Sequence, residues 1–260
     1  RETIQSISRD MLIAYMDKQY RASNIVLSIA GNVKHEHVLK LAEKLMKGWP
    51  KGKSPAPRPF RDVQLVPQFK VEYRKTEQAH LSIGLPGLRM GHPDRYAFDL
   101  FSVALGEGMS SRLFLELRER LGLAYEVHSG SVHYRDCGAF FINAGVDPKK
   151  LADALAAVLD QVAEAKEGIP QEELDKARRL SSGRLMLRME DTRAVSHWFG
   201  AQETLMDEIR EAADIVKSLE RVTTADLRRV SNDLLRPEQL NLAVVGRCRP
   251  SQRLEKALRF

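Results

Sequence analysis

VTTADLRRVSNDLLRPEQLNLAVVGRC, residues 222–248, reads as a capped helix, a short turn, an apolar strand and a closing glycine. The same order stands near the other end of the chain, in ISRDMLIAYMDKQYRASNIVLSIAGNV, residues 7–33. Setting Gly31 against Gly246 aligns the two without a gap, and Leu12 meets Leu227, Arg21 meets Arg236 and Leu27 meets Leu242. Apolar residues also match at Ile7/Val222, Tyr20/Leu235, Ile25/Leu240 and Ile29/Val244. A period of about 200 residues is too long for a solenoid and predicts a duplicated domain. On this reading residues 1–65 are the tail of a first copy plus a linker, and residues 66–260 are a complete second copy. The front of the first copy is expected upstream of Arg1.

The rest of the composition sets bounds. With 260 residues, 43% hydrophobic and 29% charged, the chain has the make-up of a soluble globular protein. It has no apolar run of about 18 residues, so no membrane-spanning helix is expected. Only Cys137 and Cys248 are present, which indicates no disulfide framework and makes a reducing, cytoplasmic setting the default. The six excess positive charges are mixed with acids, as in Glu172-Glu173-Leu174-Asp175-Lys176-Ala177-Arg178-Arg179. That pattern describes a solvated face rather than a stripe that tracks phosphates, so no nucleic-acid partner is expected.

Local signals place helices near residues 8–18 and 35–47, the second with Val38, Leu41, Ala42 and Leu45 on one face, and a strand at 24–30. GWPKGKSPAPRPF, residues 48–60, resists both helix and sheet. Strands follow near 70–74 and 80–85, then helices near 94–105 and from Ser110 or Ser111 to Leu121. A hairpin is expected from strands 124–134 and 138–146. Helices then dominate, starting near Pro148 and Pro170 and again over 192–206, 211–219 and 224–234, before a last strand at 239–245. Grouped strands followed by grouped helices predict α+β, an antiparallel sheet with helices packed on one face.

Candidate chemistry is sparse. His35 and His37 lie about 200° apart on a helix and cannot share an ion. His128 and His133 are five apart on a strand and face opposite ways, and His197 reads as a partly buried helix residue. No zinc helix, nucleophile elbow or phosphate loop occurs, and Gly106-Glu107-Gly108 reads as a tight inter-helix turn. The segment Gly106 to Tyr125 is more coherent. Leu113, Leu117 and Leu121 mark one buried face, Gly122 stops the helix, and Tyr125 opens a strand seven residues after Arg118. Such a pair can converge to donate hydrogen bonds to a peptide carbonyl. On spacing alone, a surface arginine and a core-edge tyrosine is the plainer reading.

GMSSRLFLELRERLGLAYEV, residues 108–127, preceded by HPDRYAFDLFSVALGEG, closely resembles the second domain of the M16 metallopeptidases, the insulinase, pitrilysin and mitochondrial-processing-peptidase group. Tyr20, Asn24 and the run to Gly31 resemble the end of that family's first domain. The resemblance covers nearly the whole chain and implies duplicated domains, each an antiparallel sheet faced by helices. It implies a zinc-dependent metalloendopeptidase in which zinc-activated water hydrolyses peptide bonds. The zinc helix would lie in a missing N-terminal catalytic domain, and no metal site is expected in this chain. The family's substrate-gripping arginine and tyrosine map onto Arg118 and Tyr125, while Glu107 stands where the family often has glycine. The implied partners are a peptide or unfolded protein and, as a homodimer or heterodimer, another subunit of the family. The alternative is a non-catalytic subunit of the same fold that binds peptide or assembles with an active partner.

Overall fold

The computed structural model describes residues 2–206, 208–250 and 254. They form two compact units: Arg1–Pro59 with Arg188–Ile209, and Phe60–Leu187 with Arg210–Phe260. The first begins with α1 (Glu2–Ser6) and α2 (Arg9–Gln19), whose Ser8 hydroxyl accepts the Met11 amide at 3.2 Å. That bond satisfies one of the amides a helix start leaves bare. At the other end of α2, Ser54 Oγ donates to Gln19 O at 2.9 Å and Trp49 Nε1 donates to Tyr20 O at 3.0 Å. The proline-rich stretch is thus a strap across carbonyls that have no partner within the helix. A 3₁₀ turn (Ala22–Asn24) leads into the segment expected to be a strand. Ile25 is extended, at φ −125° and ψ 130°, yet residues 25–30 form no ladder with any described residue. An extended chain becomes a strand only through its neighbour's hydrogen bonds. In α3 (His35–Leu45) the inward positions are Val38 and Ala42, continued by Met46, whereas the expected Leu41 and Leu45 are exposed.

The second unit is built on five strands: β1 (Gln68–Tyr73), β2 (Ala79–Gly87), β3 (Ala124–His133), β4 (Gly138–Val146) and β5 (Asn241–Gly246). Their order is β1-β5-β2-β4-β3. The β2, β3, β4 and β5 neighbours pair antiparallel, whereas the β1–β5 edge pair is parallel, so the sheet is mixed. That edge pair needs a long crossover, which the whole stretch between the two strands, residues 74–240, supplies. Alternation along the strands sends Leu81, Ile83, Phe140, Ile142, Val127, Leu242 and Val244 to one buried face. The helices α4 (Arg95–Gly106), α5 (Leu151–Glu167) and α6 (Gln171–Arg188) follow in chain order. Within the core Phe98 meets Phe140 edge-on at 5.4 Å and stacks on Phe101 at 6.1 Å. Truncating a buried phenylalanine of this kind costs about 3–5 kcal/mol.

The next helix, α7 (Thr192–Leu205), belongs to the first unit. Asp191 caps it, Ser196 Oγ donates to Ser28 O at 2.6 Å, and Gly200 lies against the Ser28 side chain. His197 is exposed rather than partly buried, and Trp198 beside it is half-buried. The chain then returns to the second unit through α8 (Ala212–Arg221) and α9 (Thr224–Leu234). Thr223 and Asp226 form a reciprocal capping box at the start of α9. Arg229 grips Asp94 with two hydrogen bonds, of 2.6 and 3.0 Å, and so pins α9 to the start of α4. That contact holds the Asp94 carboxyl below its ordinary range.

Candidate functional site

α4 ends at Gly106 because the chain there touches β3: a β-carbon on Gly106 would fall 2.5 Å from Ser129 Oγ and 2.6 Å from its amide nitrogen. Gly108 takes φ +89°, a turn open to glycine. The Ser111 hydroxyl closes that turn by donating to Gly108 O at 2.8 Å rather than capping the following helix. Glu107 caps neither helix with its side chain and pairs with Arg184 of α6. Arg112 grips Glu173 through two bonds, of 2.7 and 3.2 Å, and fixes the next helix to α6.

That helix, Phe114–Arg120, is a π-helix. Its wider winding corrects one expectation. Leu113 and Leu117 are fully buried, but Leu121 is 36% exposed, because five-residue hydrogen-bonded turns such as Leu121 N to Glu116 O carry position i+8 off the stripe. Gly122 then reverses the chain at φ +56°. β3 begins with a bulge: Ala124 faces Val146 and Glu126 faces Gly145, which leaves Tyr125 without a partner on β4. Ala124 and Val127 are both buried, so the bulge turns Tyr125 and Glu126 together onto the open face of the sheet.

The winding and the bulge bring the two singled-out residues together. Arg118 Nη1 donates to Tyr125 O at 3.1 Å, and its guanidinium lies 4.9 Å from both the Phe114 and the Tyr125 ring centres. An arginine held between two rings is a rigid planar donor. Its Nε approaches Glu119 at 3.8 Å. Nη2 and the Tyr125 hydroxyl make no hydrogen bond to described residues, and Tyr125 is 72% exposed. Both side chains line one open cavity of about 440 Å³, together with Gln78, Gly145, Asp147 and Lys150. The arrangement leaves two hydrogen-bond donors, Arg118 Nη2 and the Tyr125 hydroxyl, beside one open cavity. Sequence reasoning missed Gln78 and Lys150, which sit in turns before β2 and α5 and reach the cavity only through strand register.

The histidines do not assemble. His128 lies on the open face of the sheet, 3.4 Å from Asn143 and 3.9 Å from Glu126. His133 faces the helices, with Nδ1 2.6 Å from Leu88 O and Nε2 2.8 Å from Asp99. Burial works against its charge, but the Asp99 carboxylate and the Leu88 carbonyl outweigh that, and its pKa is raised. Among the described residues no group of three or more His, Cys, Asp or Glu side chains can hold a metal ion. The described residues therefore do not fit a zinc site. No described helix is long and apolar enough to cross a membrane. The first unit contains a cavity of about 710 Å³ lined by apolar residues, including Val26, Leu27, Ile29, Val38 and Phe199.

A family model described as the peptidase M16 inactive domain matches residues 6–181. An uncharacterised zinc protease of Streptomyces coelicolor is 33% identical over 260 residues, covering 96% of this chain and 56% of its own length. An uncharacterised zinc protease of Bacillus subtilis is 31% identical over 251 residues, covering 94% and 59%. The chain thus spans less than two thirds of these relatives. Its fold is similar to a crystal structure described as the peptidase M16 inactive domain from Pseudomonas fluorescens. The TM-score is 0.86 at 24% identity, covering 94% of this chain and 59% of that one. It is also similar to a protease from Helicobacter pylori, with a TM-score of 0.84 at 22% identity, covering 94% and 60%.

Proposed function

The chain belongs to the M16 peptidase family, matching that family's inactive domain, and from this membership we propose that it is the substrate-gripping part of a zinc-dependent metalloendopeptidase. The observation that carries the reading is the convergence of Arg118 and Tyr125 on one open cavity. Tyr125 donates its hydroxyl hydrogen to the scissile carbonyl and stays bonded as charge develops on that oxygen. Arg118 donates from Nη2 to a neighbouring backbone carbonyl and fixes the register of an extended peptide. Zinc would supply the activated water when bound, and residues outside this chain hold it. The substrate is a peptide or an unfolded protein, and the setting is cytoplasmic, in keeping with two free cysteines.

Residues 1–65 complete a preceding catalytic domain, and residues 66–260 form the second copy of the same fold. Support comes from local geometry at the sequence offset: α2 corresponds to α9, and the 3₁₀ turn Ala22–Asn24 to Pro237–Gln239. The extended residues 25–30 then occupy the place of β5, and the apolar cavity beside them takes the rest of that first copy. Tyr125→Phe in the full-length protein lowers kcat about a hundred-fold with little change in KM, as when one oxyanion donor is lost. An unchanged rate removes Tyr125 from the mechanism. Peptide binding without turnover in the wild type leaves a non-catalytic subunit.

A further inference from the structure

Besides Arg118 and Tyr125, the cavity is lined by Gln78, Asp147 and Lys150. Lys150 ends the 3₁₀ turn Pro148–Lys150 that opens α5, and its position is set twice over: its amide donates to Asp147 O at 2.9 Å, and the Lys149 amide donates to Asp147 Oδ1 at 2.8 Å. The Asp147 carboxylate is thereby engaged as a cap. The Lys150 side chain is exposed and forms no salt bridge with a carboxylate among the described residues. Gln78 reaches the cavity across β4 because Gly145 has no side chain there; a β-carbon on Gly145 would come 2.9 Å from Gln78 Oε1. Arg118, whose Nε lies 3.8 Å from Glu119, and Lys150 share one open cavity with the Asp147 carboxylate, whose Oδ1 accepts the Lys149 amide, so Lys150 is the cation there without a carboxylate partner among the described residues. An exposed ammonium in the same cavity as the two donors is complementary to an anionic group carried by the chain they hold.

We infer that Lys150, assisted by the Gln78 amide, forms a subsite that receives an acidic side chain of the bound peptide. The preferred substrates are then peptides with Asp or Glu close to the gripped carbonyl. The inference rests on the reading of Arg118 and Tyr125 as a peptide grip. Lys150 is a specificity residue and takes no part in the bond-breaking step.

The test is equilibrium binding of three fluorescein-labelled peptides to the 260-residue chain. One carries an internal Glu, one the same peptide with Gln, both amidated, and the third is the Gln peptide with a free C-terminus. The Glu peptide binds about three- to five-fold more tightly than its Gln twin, the range of an exposed ion pair, and Lys150→Gln abolishes that difference. Lys150→Glu reverses it in favour of a Lys-containing peptide, an outcome that misfolding cannot imitate. Equal binding of all peptides, or none, overturns the subsite. Tighter binding only with a free C-terminus also overturns it, in favour of terminal carboxylates. If the Glu preference persists while Tyr125→Phe leaves turnover of the full-length protein unchanged, the catalytic reading has failed and the subsite stands.

Discussion

Replacing His133 with glutamine should destabilise the second unit in a way that depends on pH. Both ring nitrogens face acceptors, Leu88 O at 2.6 Å and Asp99 Oδ1 at 2.8 Å, so only the doubly protonated imidazolium donates to both. The other charge beside it is Arg95, 3.6 Å from the second oxygen of Asp99. A hydrogen bond between charged partners contributes about 1.5–3 kcal/mol. The His133 side chain is 11% exposed but Asp99 is 31% exposed, which places the loss at the lower end, about 1.5 kcal/mol. The folded pKa is raised, so the sign follows directly. The stabilisation is fully present below the ordinary histidine value of about 6.5 and is lost as pH rises through the folded value. Urea unfolding of wild type and variant should therefore differ by about 0.5–0.75 M in midpoint at pH 5.5, for a slope of about 2–3 kcal/mol/M, and by less at pH 8.5. Trp49 and Trp198 both lie in the first unit. Amide exchange within β3, rather than tryptophan fluorescence, is the appropriate probe. A difference of the same size at both pH values would refute the imidazolium bridge.

Other outcomes follow from the same geometry. Gly122→Ala meets no atom within 4 Å of the added β-carbon, yet forces φ +56° on a residue with a side chain. It should lower stability by about 1–2 kcal/mol with an unchanged denaturant slope, and Gly122→Asn should cost less; equal losses would point to packing instead. The 260-residue chain, dialysed against zinc and assayed for bound metal, should hold no stoichiometric ion, since no described cluster can ligate one; tight one-to-one binding would overturn this.

How much of this was legible in the sequence depended on how local the causes were. The Ser8, Asp147, Asp191 and Thr223 caps act within three residues, and the helices they start lie close to where the chain chemistry puts them. β4 falls on its expected residues 138–146 because turns fence it on both sides. Residues 25–30 carried an equally good strand pattern and made no strand, since pairing partners are not written in the segment itself. Leu121 left the buried stripe because π-winding changes the period on which the stripe was read. The pairing of Arg118 with Tyr125 was suggested by spacing but preferred only through resemblance. The bulge that turns Tyr125 and Glu126 onto one face has no sequence marker, and neither does the register that brings Gln78 and Lys150 beside them.

The place of β5 in the sheet has a consequence for how the unit forms. Among the described residues β1 pairs with no strand except β5, Gln68 facing Asn241, and β2 is flanked on that side by β5 as well. A growing chain must therefore make nearly everything between these strands before β1 can join. Until then β2 presents an unpaired edge carrying Leu81 and Ile83. Loop closure over so long a span is slow, and open edges invite association with other chains. Synthesis halted before Asn241 should yield an aggregating polypeptide, and refolding of the 260-residue chain should be limited by the arrival of β5.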